Sequence, residues 1–496
     1  MNRISIKCCY ILILCILIEI WPVEADESST IAKFLTNWKI YIPFYIAYFR
    51  WGLYILDRLI PALFYRQIDY VQPSQNQLAE GTSTDVKDFT IIVAVYQPPP
   101  GFEAAIKSIV DNNPGRIIVV ADVTCINQTR AICGQFPTVE VMQENKPGKR
   151  AALVTGLKAT KTKLIVFVDD DINWSKNFLE KLVAPFQKFP KVGGVGCKQV
   201  GRIHHYFDVI GIMADMRLAV RTIELMATST LDKGCACISG RTAAYRTEII
   251  QNEEFYDYFI NEKFFGMQLQ SGDDKCLTRF IINKGWKTYH QLRKSCMLST
   301  SFERGCRFNR QMLRWARNTY RSDIKALFIE KKIWCNTPFT AFILLDKMWT
   351  PFFMLYGVTY LPIYAIIHKQ YVAILAWYLW LIGTRFIKLF PFLTDHPQYI
   401  IYVPIFVIFQ YYTALLRIWA LLSLARTNWG TRDIAIVNGV VVRKGEPQDG
   451  DNKEHKEHKE HKEHKEGLSL SISAPSNPEI IKSNDIALRI HPDIDN

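Results

Sequence analysis

The stretch Leu164-Ile-Val-Phe-Val-Asp-Asp-Asp171 decides how the chain is read. Its five apolar, mostly β-prone residues predict a buried strand, and three adjacent carboxylates end it abruptly. An ordinary acidic turn can end a strand in this way. In an open α/β sheet, however, ligands bind at the carboxyl ends of the strands, and hard oxygen ligands there favour Mg2+ or Mn2+. A divalent ion in that position can in turn hold a diphosphate.

The surrounding composition narrows the class. The chain has 496 residues, 49% of them apolar, which is enough for a full domain with hydrophobic length left over at both ends. Its net charge is +13. Beside long apolar runs, that balance points to a membrane surface or a phosphate-bearing substrate and away from nucleic acid. Twelve cysteines spread over this length, without paired C-x-x-C knuckles, argue for free thiols in a reducing compartment and against a zinc site.

Ile4 to Trp21 is a short apolar run behind Arg3 and Lys7, followed by Val23-Glu-Ala25, so residues 1–25 read as either a cleaved signal or a first span. A second apolar region, within residues 36–66, is interrupted by Arg50, Asp57 and Arg58. Its first half spans a bilayer only if Arg50 snorkels, and its second half suits the interface. Acidic Glu24, Asp26 and Glu27 precede it and Arg58 and Arg66 follow, so residue 70 onward belongs on the cytosolic side.

From Asp88 onward the pattern is that of a soluble α/β domain, taken as residues 88–300. Runs of β-branched residues at Thr90 to Val95, Arg116 to Ala121, Val139 to Gln143 and Leu164 to Val168 alternate with helical segments at Phe102 to Asp111 and Lys149 to Ala159. Such alternation predicts a mostly parallel sheet. Asp122 and Asp169 both stand at strand ends, and Lys146-Pro-Gly-Lys-Arg150 opens a helix where backbone N–H groups and two cations can approach phosphate or simply cap the helix. Two sequons, Asn127-Gln-Thr129 and Asn173-Trp-Ser175, lie in this domain, where glycosylation would contradict a cytosolic placement.

Leu269-Gln-Ser-Gly-Asp-Asp-Lys275 puts a second carboxylate pair ahead of a helical run, Cys276 to Asn283. One aspartate there is explained as an N-cap; the other is free to act as a base. Arginines at 304, 307, 310, 314, 317 and 321 are spaced by three or four, so a helix within residues 301–335 gathers them on one face, which we expect to lie on lipid phosphates with Arg314 turned to a diphosphate. Gln311, Arg314 and Trp315 share a neighbouring face, and Trp315 can stack on a sugar ring or fill a core.

Asp122, Asp169-Asp-Asp171, Asp273-Asp274 and Gln311-Met-Leu-Arg-Trp315 resemble the D, DxD, (E/G)DD and QxxRW series of processive family 2 glycosyltransferases. Cys237-Ile-Ser-Gly240 with Tyr245-Arg246, Gly272-Asp-Asp with Leu277-Thr278, and Trp429-Gly-Thr431 bring the chain closest to hyaluronan synthases, and among them to the fungal type 2 polysaccharide synthases. The resemblance implies a GT-A-like (Rossmann-like) cytosolic domain set between transmembrane and interfacial helices, a UDP-sugar donor, Mn2+ or Mg2+, a growing polysaccharide acceptor, and extrusion through a channel of the same chain, most simply at the plasma membrane. Tyr96 and Asp122 would contact the uracil or ribose, Lys149 the nucleotide, and Asp169 with Asp171 the nucleotide and metal. Asp274 of the Asp273–Asp274 pair would be the base and Arg314 would steady the diphosphate. Gln311 and Trp315, with Cys237, Ser239 and Arg241, would line the acceptor site, and Trp429 and Thr431 would belong to a gating loop within residues 428–446. Gln97, Arg241 and the shortened Trp429-Gly-Thr-Arg432 depart from the pattern, so pocket and gate are the parts carried over least directly.

Residues 337–427 return to the membrane, with apolar runs at Phe339 to Ile367, Tyr371 to Phe392 and Tyr399 to Ala425. Three full crossings would strand Trp429 away from a cytosolic nucleotide, so Tyr399 to Ala425 is expected to be interfacial or re-entrant. The tail, residues 447–496, contains a Lys-Glu-His repeat at Lys453 to Glu466, whose composition predicts disorder. A transferase adding one sugar to a lipid would share the carboxylates. A degenerate, non-catalytic nucleotide domain would tolerate the loss of Asp274.

Overall fold

The computed structural model describes residues 38–426 apart from 82, 293 and 301, together with the backbone of 434–437 and 440–443. The expectations for residues 1–25, for Trp429 and Thr431, and for the 447–496 tail lie outside the described residues.

The first long helix, α1 (Ile42–Tyr54), runs through a π-helical turn at Ile55–Leu59 into Ile60–Leu63. The sheet then begins with β1 (Phe89–Val95), β2 (Arg116–Asp122), β3 (Val139–Glu144) and β4 (Leu164–Val168). These alternate with α2 (Phe102–Val110), α3 (Ile126–Cys133) and α4 (Lys149–Lys158), and α5 (Phe178–Lys188) follows β4. All four strands are mutually parallel. The period-2 pattern sends Ile91, Val93 and Val95 of β1 to one core and Ile92 to the other, so helices cover both faces. Every residue of β4 is buried, and each large apolar side chain so placed contributes about 1.5–3 kcal/mol.

Beyond β4 the sheet becomes mixed. β5 (Val192–Gly201), β6 (Thr242–Arg246), β7 (Lys287–Gln291) and β8 (Met297–Thr300) complete eight strands. β6 is antiparallel to both β4 and β5, whereas β7 and β8 pair with β5 in parallel. The long α6 (Val209–Leu231) lies between β5 and β6, α7 (Asp273–Asn283) precedes β7, and α8 (Cys306–Ile324) follows β8. The result is the expected GT-A-like sheet of mostly parallel strands.

Three helical units, α9 (Pro338–Ile367), α10 (Tyr371–Asp395) and Pro397–Leu422, whose main part is α11 (Val403–Leu422), are long and apolar enough to cross a membrane. The Asp232 carboxylate seats the first turn of α9 by accepting from the Thr340 amide and hydroxyl at 2.8 and 2.9 Å. Arg50 does not snorkel as the sequence suggested. It pairs with Asp346 of α9 at 2.8 Å, and Arg58 joins Asp346 at 3.0 Å and Asp57 at 2.6 Å. Pairing within the helix bundle removes the need to reach the headgroups.

The arginine row also divides. Arg304 precedes α8, and Arg307 and Arg310 are exposed, but Arg317 donates to Ser423 Oγ at 3.0 Å and buried Arg321 donates to the carbonyls of Leu424 and Arg426 at 2.8 and 2.6 Å. The carbonyls of the turn that follows α11 lie outside any helix or strand, and Arg321 supplies them with donors while Arg317 holds the Ser423 hydroxyl at the helix end. Only the amino-terminal part of the row is free to meet lipid phosphate.

Candidate functional site

The site forms where strand ends, two helix starts and one side of α8 converge. Gly148 and Gly272 precede α4 and α7 with φ of 116° and 85°, backbone that side-chain-bearing residues rarely adopt, and so aim the first helical turns inward. Lys149 opens α4, and Asp273 and Asp274 open α7. Neither aspartate is the N-cap, contrary to the simplest explanation of the pair, because Gly272 takes that position.

Lys149 Nζ meets Asp169 Oδ1 at 2.6 Å and Asp273 Oδ2 at 3.1 Å. Burial opposes both charged forms, but the two carboxylates hold Lys149 well above the ordinary lysine pKa, and Lys149 with Arg150 holds Asp273 below the ordinary aspartate value. Among the described residues Asp274 makes no ion pair. Its Oδ1 accepts from the Lys275 amide at 2.8 Å, and the Cys237 thiol lies beside it. Burial and Asp274 push that thiol well up, so it is no nucleophile at neutral pH.

Arg241 is the centre of the arrangement. The carboxylates of Asp169, Asp171 and Asp274 all act on it, although burial and Arg221 leave its pKa below the usual arginine value. Its carbonyl accepts from the Asp169 amide at 3.1 Å, its guanidinium donates to Gln199 Oε1 at 3.1 Å, and it lies over the Trp315 ring at 5.6 Å. The sequence marked Arg241 as a departure; the structure places it between the DxD run, the second carboxylate pair and the QxxRW face. Trp315 is half-buried beside Phe302, Gln311 and Arg314 are half-buried on the same stretch of α8, and Asn318 accepts from Ser271 Oγ at 2.8 Å just ahead of α7.

Asp122 is buried at the end of β2, where Oδ1 accepts from the Thr124 amide and hydroxyl at 3.0 and 2.7 Å, and Tyr96 is half-buried just past β1. Cys237 is buried, and Ser239 is half-buried in the segment leading to Arg241. Asp171 is exposed at the rim, yet desolvation by the surrounding walls and the Asp169 charge raise its pKa. Among the described residues no three or more His, Cys, Asp and Glu side chains gather as a closed metal site. The donors at the end of β4 are oxygens alone.

Arg150 is not available to phosphate, as its place in the Lys-Pro-Gly-Lys-Arg run suggested. It is buried and pairs with Glu262 at 2.7 Å, and Glu262 also meets Arg279 at 2.5 Å and Lys325 at 3.2 Å. No sequence signal marked Glu262, because its three cations come from α4, α7 and the turn after α8.

The profile of "Glycosyltransferase like family 2" matches residues 87–318. A type 2 glycosyltransferase of Zymoseptoria tritici is 30% identical over 358 residues, covering 70% of this chain and 76% of that protein. The chain belongs to glycosyltransferase family 2. Hyaluronan synthase 2 of Gallus gallus is 29% identical over 178 residues, 35% of this chain and 31% of that one. Among solved structures, the mannosyltransferase PcManGT from Pyrobaculum calidifontis in complex with GDP-Man and Mn2+ has the same fold, with a TM-score of 0.50, 17% identity, and coverage of 79% of this chain and 100% of its own. This protein is therefore a membrane-associated family 2 glycosyltransferase, similar in part to hyaluronan synthases, acting on a nucleotide-sugar donor and an acceptor.

Proposed function

We propose that this glycosyltransferase is a processive, inverting polysaccharide synthase that uses a UDP-sugar and passes its product through its own membrane region. The observation that carries the proposal is the meeting of the two carboxylate motifs on Lys149, with Asp169 at 2.6 Å and Asp273 at 3.1 Å, beside Arg241, whose carbonyl accepts from the Asp169 amide and whose guanidinium lies over the Trp315 ring at 5.6 Å. Asp122 and Tyr96 hold the nucleoside, and Lys149 and Arg314 face the diphosphate. Asp274, which makes no close ion pair among the described residues, takes the proton of the acceptor hydroxyl. The acceptor oxygen then attacks the anomeric carbon in line as its bond to UDP breaks, which inverts that centre, and Arg314 and Lys149 stabilise the departing charge. Gln311, Trp315, Cys237, Ser239 and Arg241 hold the acceptor.

Asp169 and Asp171 fit Mg2+ or Mn2+: both are oxygen donors, and the raised pKa of Asp171 is relieved by a nearby cation. Such an ion would neutralise diphosphate charge when bound. Asp171→Asn is expected to weaken Mn2+-dependent UDP binding about tenfold, roughly the value of one charged contact, with metal-free binding unchanged, as read by calorimetry.

The detergent-purified protein, given UDP-GlcNAc, UDP-glucose and UDP-glucuronate in turn with Mn2+ or Mg2+, should release UDP from one of them and yield a long polymer on sizing. A product one sugar longer than a lipid acceptor would overturn processivity.

We also propose that α11 lies at the interface. In support, its amino end is held by Tyr402, whose hydroxyl donates to the Tyr206 carbonyl at 2.9 Å, and its carboxyl end by Arg317 and Arg321, so both ends meet the catalytic side. A cysteine placed at Thr431 should react with an impermeant maleimide only after cells are opened. Labelling of intact cells would refute this topology.

A further inference from the structure

In the reaction proposed above, Asp274 and Arg314 act on one acceptor oxygen and its departing diphosphate, yet they stand on different helices, α7 and α8. Whatever holds these two helices in register bears on the rate. Asp273 has its own anchor, Lys149 of α4 at 3.1 Å. Asp274 makes no ion pair among the described residues, and its Oδ1 accepts from the adjacent Lys275 amide, so its place follows the backbone that opens α7.

That backbone is held from α8. Ser271 and Asn318 are both buried, and the Ser271 hydroxyl donates to Asn318 Oδ1 at 2.8 Å. The Asn318 side chain also packs on Gly272, where an added Cβ would meet its Cγ at 3.4 Å. Gly272, with φ of 85°, is the residue that turns the chain into α7, so Asn318 bears on the turn itself. Farther along, Lys275 meets Asp323 at 3.6 Å and Arg279 donates to Ser322 Oγ at 2.8 Å. Those contacts hold the body of α7 to α8 and leave the Ser271–Asn318 contact to set its first turn.

Asn318 stands four residues beyond Arg314 and three beyond Trp315, on the same side of α8. Its oxygen is itself held, because Arg321 Nη1 donates to Oδ1 at 3.4 Å while Nη2 is fixed on the Leu424 and Arg426 carbonyls.

We propose that Asn318 is a positioning residue of the transfer reaction: by clamping the Ser271–Gly272 turn onto α8, it sets Asp274 against Arg314. The proposal rests on the reading of Asp274 as the base.

The test uses the full chain in detergent, with whichever of the three UDP-sugars supports UDP release. It measures kcat, donor KM, UDP affinity and melting temperature for Asn318→Ala, Asn318→Asp and Ser271→Ala, alone and combined with Asp274→Asn. Asn318→Ala is expected to lower kcat about tenfold with KM and UDP affinity held within about twofold. Asn318→Asp, which keeps an acceptor oxygen for Ser271, should recover most of that loss. Ser271→Ala should lower kcat about threefold, and it carries the comparison if Asn318→Ala fails to fold. In the Asp274→Asn background no base is left to misplace, so neither alanine variant should cost anything further. Losses that multiply in the double variants would place the action of Asn318 elsewhere and overturn the proposal. So would a parallel fall of kcat, UDP affinity and melting temperature in both alanine variants, which marks a merely structural role. Failure of the base assignment shows separately, as an undiminished Asp274→Asn single variant, and removes the proposal with it.

Discussion

Asp274→Asn is expected to lower glycosyl transfer about 10²–10⁴-fold, the usual contribution of a positioned general base, with UDP binding unchanged within about twofold. The two carboxylates of the pair are chemically alike but differently engaged. Asp273 is tied at 3.1 Å to Lys149 and held below the ordinary aspartate pKa, which makes it a poor proton acceptor. Asp274 has no cation bound to it among the described residues; its Oδ1 accepts from the Lys275 amide, and the Cys237 thiol is its neighbour. Asp273→Asn should act differently. It removes one of the two carboxylates on Lys149, so it should weaken nucleotide binding as well as turnover. Rates of UDP release and transfer, with UDP titrations for each variant, check the difference. An Asp274→Asn enzyme that transfers at an undiminished rate would eliminate Asp274 as the base and favour a non-catalytic nucleotide domain.

Glu262→Ala should destabilise the protein by about 3–5 kcal/mol, as expected when a buried ion pair loses one partner. Arg150 and Arg279 are 2% and 4% exposed; among the described residues Glu262 is the ion-pair partner of Arg150, while Arg279 also meets Glu330 at 2.8 Å. The three cations also join α4 to α7, so the variant should loosen Lys149 against Asp273. Burial would push the Glu262 pKa up, but Arg150, Arg279 and Lys325 more than reverse it and hold the group well below the ordinary glutamate range. A depressed carboxylate stabilises the fold above its unfolded-state pKa and loses that contribution as pH falls through the folded value. The wild type should therefore lose stability steadily below about pH 4.3, the ordinary glutamate value, and Glu262→Gln should flatten that acid limb. Thermal melts in detergent from pH 7 downward measure both effects. A Glu262→Ala melting curve superimposable on the wild type would show that the cations find other partners.

Much of the architecture could be read from local pattern. The run ending in Asp169-Asp-Asp171 announced a buried strand with its carboxylates at the ligand end, and the alternation of β-branched and helical segments announced a parallel sheet. Both depend on periodicity over a few residues, and β4 is buried at every position. What could not be read was the second half of the sheet, where β5, β6, β7 and β8 pair out of chain order and in both directions. Glu262 belongs to this part of the chain and had no motif to mark it.

By itself the amino-acid sequence determined the family, because spaced carboxylates, a glycine ahead of a helix start and a Gln-x-x-Arg-Trp face are properties of order along the chain. It also determined that three late segments are apolar enough for a bilayer, since that depends on composition and length alone. Tertiary structure decided which of two adjacent aspartates is paired, that Arg150 and Arg321 are structural while Arg241 is central, and that Arg50 finds Asp346 in place of lipid. These are choices of partner. A charge takes the counter-charge or carbonyl that the fold brings within about 3 Å, and that neighbour lies tens to hundreds of residues away in the chain.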